Sequence, residues 1–297
     1  MFGYIIYGRL KSKRLAKKAL LTLEGKSLLR VFIERISLSS RIDKIVFATS
    51  DLEEDKPLTE LALTEGLETY CGHPEDVALR LYETSKCFGF DCFLTTMIDG
   101  PFQFREVIDS TVDKLNDENY DMLCSYRGQP NGTDCYGLRT GALERVINSK
   151  RATDTECWGK YFTDTGIFNW GEINLFENRP DLKDFRLTID YPEDYEFCKR
   201  LYSDLVTRFG AGFNLDNLVS VLDLEEYQQI DRELYEDYTS ATPGPICQNW
   251  NEIQIQLGWY FSNGDSYQAE RKYIYNQYFK YSDNHNSERI VDTVINY

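Results

Sequence analysis

The stretch GYIIYGRLKSKRLAKKAL, residues 3–20, sets a short apolar, β-rich run directly before six cations, Arg9, Lys11, Lys13, Arg14, Lys17 and Lys18. GYIIYG reads as a strand, and a cationic loop at the carboxyl end of a strand can meet an anion if that strand belongs to a parallel sheet. The chain has 297 residues and a formal net charge of -16. Over residues 9–30, by contrast, eight cations stand against the single acid Glu24, a local +7. A basic loop of this kind is either a solvated face or a phosphate site, and its position at a strand end favours the phosphate site.

Outward from that stretch, apolar runs alternate with segments of helical period. LLRVFIERISLS, LTELALTEG and EDVALRLYETSKCFG read as helices; DKIVFATS, LETYCG and DCFLTTMID read as strands. Three βα units in succession predict an α/β fold, a mainly parallel, doubly wound sheet with helices on both faces. In such sheets ligands bind beyond the carboxyl ends of the strands. The basic loop, Asp51, the segment 72–76 and Asp99 all follow strands and are expected on one rim. Further along, a helix is expected over 104–115, a strand over YDMLCS, a hairpin within PNGTDCYGL and a helix over 141–148. FRLTID then reads as a strand ending at Asp190, followed by helices over EDYEFCKRLYSDLVTRF, NLDNLVSVL and EEYQQIDRELYEDY. The reading gives a main domain over 1–237 and an aromatic-rich extension over 238–297, entered through the Pro- and Gly-containing segment 239–250 and packing on the domain or on a second subunit.

Composition narrows the function classes. A pI near 4.7 opposes extended binding to nucleic acid or anionic membranes. Eight cysteines occur without a CxxC pair and beside only two histidines, so reduced, buried thiols are expected in place of a zinc site. The residues ahead of Arg9 are too few for a signal sequence and no run reaches the length of a membrane span, which makes the cytoplasm the expected compartment. Asp99 in TTMIDGP and Asp190 in RLTIDYP each follow an apolar run and precede a proline. Either alone reads as a turn former or helix cap; as a pair beside a basic loop they read as ligands of Mg²⁺.

GRLKSKRLAKKAL resembles the ARxxSxRLPxKxL signature of cytidylyltransferases that make CMP-activated acidic sugars, a family including the spore-coat polysaccharide protein F branch and the CMP-Kdo and acylneuraminate synthetases. GKSLLRVFIER, IDKIVFATSD, GHPEDVALR, IDGP, PNGTD, TECWGKY and RLTIDYPEDYE continue the resemblance in order over residues 3 to about 237. It implies a Rossmann-like sheet of the GT-A type and transfer of CMP from CTP to an acidic sugar with release of pyrophosphate. By the same resemblance Gly8, Arg9, Ser12, Arg14 and Lys18 hold the triphosphate and Asp99 and Asp190 bind Mg²⁺. Asp51, Asp76 and Arg80 fall near the base and ribose, and Asn131, Gly132, Asp134 and Glu156 near the acceptor; Arg9, Lys18, Asp99 and Asp190 are the catalytic set. CTP and a small anionic sugar are then the partners, with a homodimer left open. Ala16 and Lys17 stand in place of the signature's Pro-Gly, Ile98 in place of a glycine and Cys157 where a histidine is frequent. His73, a lone loop histidine, reads as incidental, and no general base is assigned. The rival readings are a nucleotide-sugar-dependent glycosyltransferase, disfavoured because Asp99-Gly100-Pro101 is not a DxD motif, and a degenerate nucleotide-binding or assembly protein.

Overall fold

Why the first strand lies at the centre of the sheet follows from its burial. In the computed structural model, which describes residues 1–11, 15, 17–125, 128–224, 227, 254–256 and 262, β1 (Phe2–Tyr7) is buried at every position but its first. A strand apolar on both faces suits the middle of a parallel sheet covered by helices. A two-stranded ribbon, β2 (Thr22–Leu23) and β3 (Lys26–Ser27), leads to α1 (Leu28–Ile36), which Ser27 caps by accepting the Arg30 amide at 3.0 Å. Next come β4 (Lys44–Ser50), α2 (Lys56–Thr64), β5 (Glu68–Gly72), α3 (Val77–Cys87) and β6 (Cys92–Met97). β1 pairs parallel with β4 and β6, so that Ile5 lies between Val46 and Thr95. The remaining elements are α4 (Arg105–Asp117), β7 (Met122–Cys124), β8 (Tyr136–Arg139), α5 (Thr140–Ser149), α6 (Lys160–Thr163), β9 (Trp170–Glu172), α7 (Pro192–Phe209) and α8 (Leu215–Leu222).

The seven-stranded sheet runs β5-β4-β1-β6-β8-β7-β9, and only the two pairings of β8 are antiparallel. One face is covered through Phe32 of α1, Leu58 of α2, Ile108 of α4, Leu201 of α7 and Leu218 of α8. The opposite face is covered through Leu81 of α3, Leu143 of α5 and Phe162 of α6. The expected mainly parallel sheet with helices on both faces is the architecture found. From β1 the chain moves towards β4 and from β6 it moves the other way, towards β8 and β7, which opens a crevice between the carboxyl ends of β1 and β6.

Three expectations are corrected. PNGTDCYGL is not a hairpin in itself: β8 inserts between β6 and β7, and the turn before it is tied by Thr133 Oγ1 donating to the Pro130 carbonyl at 2.8 Å. FRLTID is not a strand but an extended segment with a single bridge, Asn131 to Arg186. Its amides serve a loop instead of a ladder, Leu187 donating to Asn131 at 2.5 Å and Ile189 to the Asp99 carbonyl at 2.8 Å. β9, which no periodicity announces, closes the sheet beside β7. The cysteines are also less uniform than expected, since Cys71, Cys87 and Cys157 are exposed while Cys92, Cys124, Cys135 and Cys198 are buried.

The chain divides into two units, Met1–Tyr227 and Gln228–Tyr297. Except for Tyr227, whose hydroxyl donates to Asp204 at 2.7 Å, the helix expected over EEYQQIDRELYEDY lies outside the described residues, as do segment 239–250 and, apart from residues 254–256 and 262, the rest of the extension. Among the described residues no helix is long and apolar enough to cross a membrane.

Candidate active site

The crevice is a cavity of about 590 Å³ lined by Gly8, Arg9, Lys11 and Lys18 of the first loop and by Arg80, Asp99 and Asp190, with Asn131, Gly132, Asp134 and Glu156 completing its wall. At its base Lys18 Nζ donates to Asp99 Oδ2 at 2.6 Å and to Asp190 Oδ1 at 2.8 Å. These two carboxylates are 91 residues apart in sequence, numbers 99 and 190, and the Ile189 amide bonding the Asp99 carbonyl brings their backbones together. Asp190 is held further by Arg186, four residues earlier in sequence, and by its own amide donating to Asp194 at 3.0 Å. Burial pushes the Asp99 carboxyl up from its ordinary pKa, and Lys18 only partly offsets this. Burial pulls the Lys18 ammonium down, but the two carboxylates outweigh it and its pKa is raised.

Lys18 opens a 3-10 turn after Lys17, whose φ of 54° is left-handed. The cationic loop thus keeps, with a lysine, the conformation that glycine takes most easily, at a cost of roughly 1–2 kcal/mol. Ile98 and Gly8 fit each other: a Cβ on Gly8 would stand 2.5 Å from Ile98 Cγ2. The isoleucine beside Asp99 is accommodated by the absent side chain across the crevice.

On the other side of the first loop, Arg9 Nη1 lies 3.0 Å and Lys11 Nζ 3.2 Å from Glu75 Oε1. Arg80 is buried, and its Nη1 donates to the carbonyls of His73 at 2.7 Å and Pro74 at 3.2 Å. Burial first, then the neighbouring Arg9, draws its pKa down. Asp76 caps α3 by accepting the Leu79 amide at 3.0 Å, pairs with Lys150 and accepts Thr155 Oγ1 at 2.8 Å. It does not line the cavity, and Asp51 is exposed outside it; the structure therefore does not bring these two carboxylates to the other site residues. Ser12 and Arg14 lie outside the described residues. His73 accepts the amides of Glu75 and Asp76 at 3.2 and 2.9 Å on Nδ1, a local stitch away from the cavity.

At the wall formed by β8 and segment 155–163, Gly132 has φ 98°, and a Cβ there would meet the Leu187 carbonyl carbon and oxygen at 2.5 Å. Its amide donates to Asp134 Oδ1 at 3.0 Å, while burial pushes the Asp134 carboxyl up. Tyr136 and Trp158 pack edge to face at 4.9 Å. Sequence reasoning missed Lys160 and Thr163, which line the cavity, together with Arg186 and Asp55. Asp55 anchors the cationic loop by accepting the Leu10 amide at 2.6 Å. None of these four belongs to a spaced pattern of like residues; only the fold collects them.

Two hard carboxylates that converge on one cation suit a divalent ion which takes its other ligands from phosphate and water. No cluster of three or more metal-ligating side chains occurs among the described residues, so the donor set fits an ion shared with a substrate better than a closed protein cage.

A doubly wound sheet with a cationic loop and paired carboxylates at its switch point defines the nucleotidyltransferase class. The cytidylyltransferase profile matches residues 4–241, and the chain belongs to that family of CTP-dependent nucleotidyltransferases. It is 31% identical over 215 residues to an uncharacterized protein of Methanocaldococcus jannaschii, covering 71% of this chain and 85% of that protein. It is 25% identical over 214 residues to the spore coat polysaccharide biosynthesis protein SpsF of Bacillus subtilis, covering 67% and 85%. A solved cytidylyltransferase from Leptospira borgpetersenii superposes with a TM-score of 0.65 at 24% identity, over 74% of this chain and 93% of that one. The CMP:2-keto-3-deoxy-manno-octonic acid synthetase solved with CTP shares the fold at a TM-score of 0.52 and 15% identity, over 68% and 98%. Residues 217–296 match a second profile, CDP-glycerol:poly(glycerophosphate) glycerophosphotransferase.

Proposed function

We propose that the chain transfers CMP from CTP to a hydroxyl of a small acidic sugar, releasing pyrophosphate, in the cytoplasm and in the service of surface-polysaccharide precursors. The observation that carries this reading is the convergence of Lys18, Asp99 and Asp190 in a cavity that also receives Arg9. Gly8, Arg9, Ser12, Arg14 and Lys18 are the triphosphate-holding residues, the guanidinium forks taking phosphate oxygens and the Lys18 ammonium adding a point charge. Arg80 serves the nucleotide from the cavity wall, and Asp76 shapes that wall from behind. Asn131, Asp134 and Glu156 accept hydroxyls of the acceptor, while Gly132 lets the chain carrying Asp190 approach. Asp99 and Asp190 would hold Mg²⁺. Mg²⁺ supplies neutralisation of charge on the reacting phosphates and acidifies an acceptor hydroxyl. The protein's own part is alignment of hydroxyl, α-phosphate and leaving group, with no covalent intermediate needed.

The test is a matrix of the four ribonucleoside triphosphates against candidate acids, read as pyrophosphate. Release is expected with CTP only and only when an acceptor is present; silence across the whole matrix removes the reading. One observation favours a second reading of the acceptor: the match of residues 217–296 to enzymes described as using CDP-glycerol. In that reading the acceptor is glycerol phosphate and the product a CDP-polyol. Phosphorus NMR separates the two, since a CMP-sugar carries one phosphorus and a CDP-polyol two coupled ones.

A further inference from the structure

The cations lining the cavity differ in how they are engaged. Arg9 and Lys11 share Glu75, Lys18 bridges Asp99 and Asp190, and Arg80 donates to two carbonyls. Lys160 lines the same cavity, is exposed, and among the described residues has no side-chain hydrogen bond or ion pair. Its backbone is nevertheless firmly placed. Thr155 Oγ1 donates to Asp76 Oδ1 and accepts the Ala78 amide, both at 2.8 Å. Trp158 is buried against Tyr136, and the Lys160 amide donates to the Cys157 carbonyl at 3.2 Å.

The same cavity is lined by the hydroxyl acceptors Asn131, Asp134 and Glu156. A neutral polyol would need those groups and no cation. In a chain of net charge -16 an anionic acceptor enters against the overall field, and a positive charge lining the cavity offsets that repulsion locally. Resting on the reading above, we infer that Lys160 is the specificity-determining residue of the acceptor site: it receives the anionic group of a polyhydroxylated acceptor while Asn131, Asp134 and Glu156 take its hydroxyls. The group is a carboxylate if the acceptor is a sugar acid and a phosphate if it is a polyol phosphate; the recognition chemistry is shared.

The experiment uses the full chain and the variants Lys160→Ala, Lys160→Gln and Lys160→Arg. Calorimetry measures binding of 3-deoxy-manno-octulosonic acid, N-acetylneuraminic acid and glycerol 3-phosphate in the presence of Mg²⁺ and α,β-methylene-CTP. One of the three is expected to bind the unmodified chain, about 10- to 100-fold more weakly to the Ala and Gln variants, with most affinity restored in Lys160→Arg. Affinity for the CTP analogue alone should change by less than about twofold, because Lys160 serves only the acceptor. In turnover, KM for the preferred anion should rise while kcat changes less. The anion that responds tells carboxylate from phosphate. Equal binding to Lys160→Ala, a matching loss of CTP affinity, or no binding of any of the three anions to the unmodified chain overturns the inference. Binding of CTP and the anion without pyrophosphate release sinks the proposed reaction instead and leaves the binding comparison to decide Lys160.

Discussion

Two lysine–carboxylate clusters sit on the same rim and have different duties. Lys150 with Asp76 is almost fully enclosed, with side-chain exposures of 8% and 2%. The Asp76 carboxylate also takes the Leu79 amide and the Thr155 hydroxyl, so local donors meet its needs. Lys18 with Asp99 and Asp190 keeps 12–13% exposure and faces the cavity. One ammonium there serves two carboxylates, and the only side chain donating to Asp99 among the described residues is Lys18. A buried pair whose remaining lone pairs are filled by neutral donors stiffens a loop; a pair of acids drawn together by one cation is prepared to exchange that cation's place for a ligand.

The largest expected effect tests the exchangeable cluster. Asp99→Asn or Asp190→Asn should lower CTP-dependent pyrophosphate release by about 1,000-fold with little change in the melting temperature. Lys18→Met removes the cation that bridges the two acids, leaving Arg186 on Asp190 alone. Mg²⁺ should therefore raise its melting temperature by several degrees more than that of the unmodified chain, a shift of about 2–4 °C for each kcal/mol. Equal Mg²⁺ shifts in both proteins would show that the carboxylates do not meet over an ion.

The enclosed cluster should respond in the opposite sense. Asp76→Ala strands a buried lysine and should cost about 3–5 kcal/mol of stability, while the specific activity of the folded fraction falls much less. The Asp76 pKa is lowered: burial pushes it up, but Lys150, the Leu79 amide and Thr155 outweigh that. A depressed carboxylate contributes stability that is present above its unfolded pKa, near about 3.9, and is lost as pH falls through the folded value. The gap in stability between the unmodified chain and Asp76→Asn should therefore be full at pH 6 and shrink steadily below about pH 4.

A glycine that lines the cavity belongs to neither cluster. Gly132→Ala would place a methyl 2.5 Å from the Leu187 backbone, at φ 98°. Chemical denaturation should show a loss of about 1–3 kcal/mol. Because segment 185–190 must shift to admit the methyl, activity should fall with it. Lost stability without lost activity would mean that the position of Asp190 does not depend on this contact.

What could be read before folding follows the same division. The parallel half of the sheet announces itself because each strand is a local apolar run followed by a helical period, and Asp99 is found by its place after such a run. The insertion of β8 between β6 and β7 is a non-local pairing with no periodic trace. FRLTID misleads because apolar Phe185, Leu187 and Ile189 alternate in sequence with polar Arg186, Thr188 and Asp190, the pattern of a strand, although Thr188 is buried like its neighbours and the amides of Leu187 and Ile189 bond to loops. Asp76 falls near the base and ribose by resemblance alone, and a carboxylate in a loop carries no mark of the lysine that covers it from residue 150. Lys160 and Arg186 escape for the reverse reason: a single cation gains meaning only from the wall it joins. Nothing in the side chain of Lys17 signals a left-handed backbone.

The smallest expected effect concerns a third cluster, the exposed one. Glu75 keeps 42% of its side chain exposed and shares one oxygen between Arg9 and Lys11. The Arg9 guanidinium, then the Lys11 ammonium, holds its carboxyl below the ordinary glutamate value. Exposed pairs of this kind are weak and screened by salt. The carboxylate competes with a triphosphate for the same two cations, yet it also orders the Arg9 side chain before the nucleotide arrives. Glu75→Gln removes the charge and keeps an acceptor for the guanidinium. If competition dominates, CTP should bind about two- to fivefold more tightly to the variant at low ionic strength, with the difference fading in about 0.5 M salt. Weaker binding that salt does not abolish would mean that ordering dominates, and would move Glu75 from the exchangeable kind of cluster to the kind represented by Asp76 and Lys150.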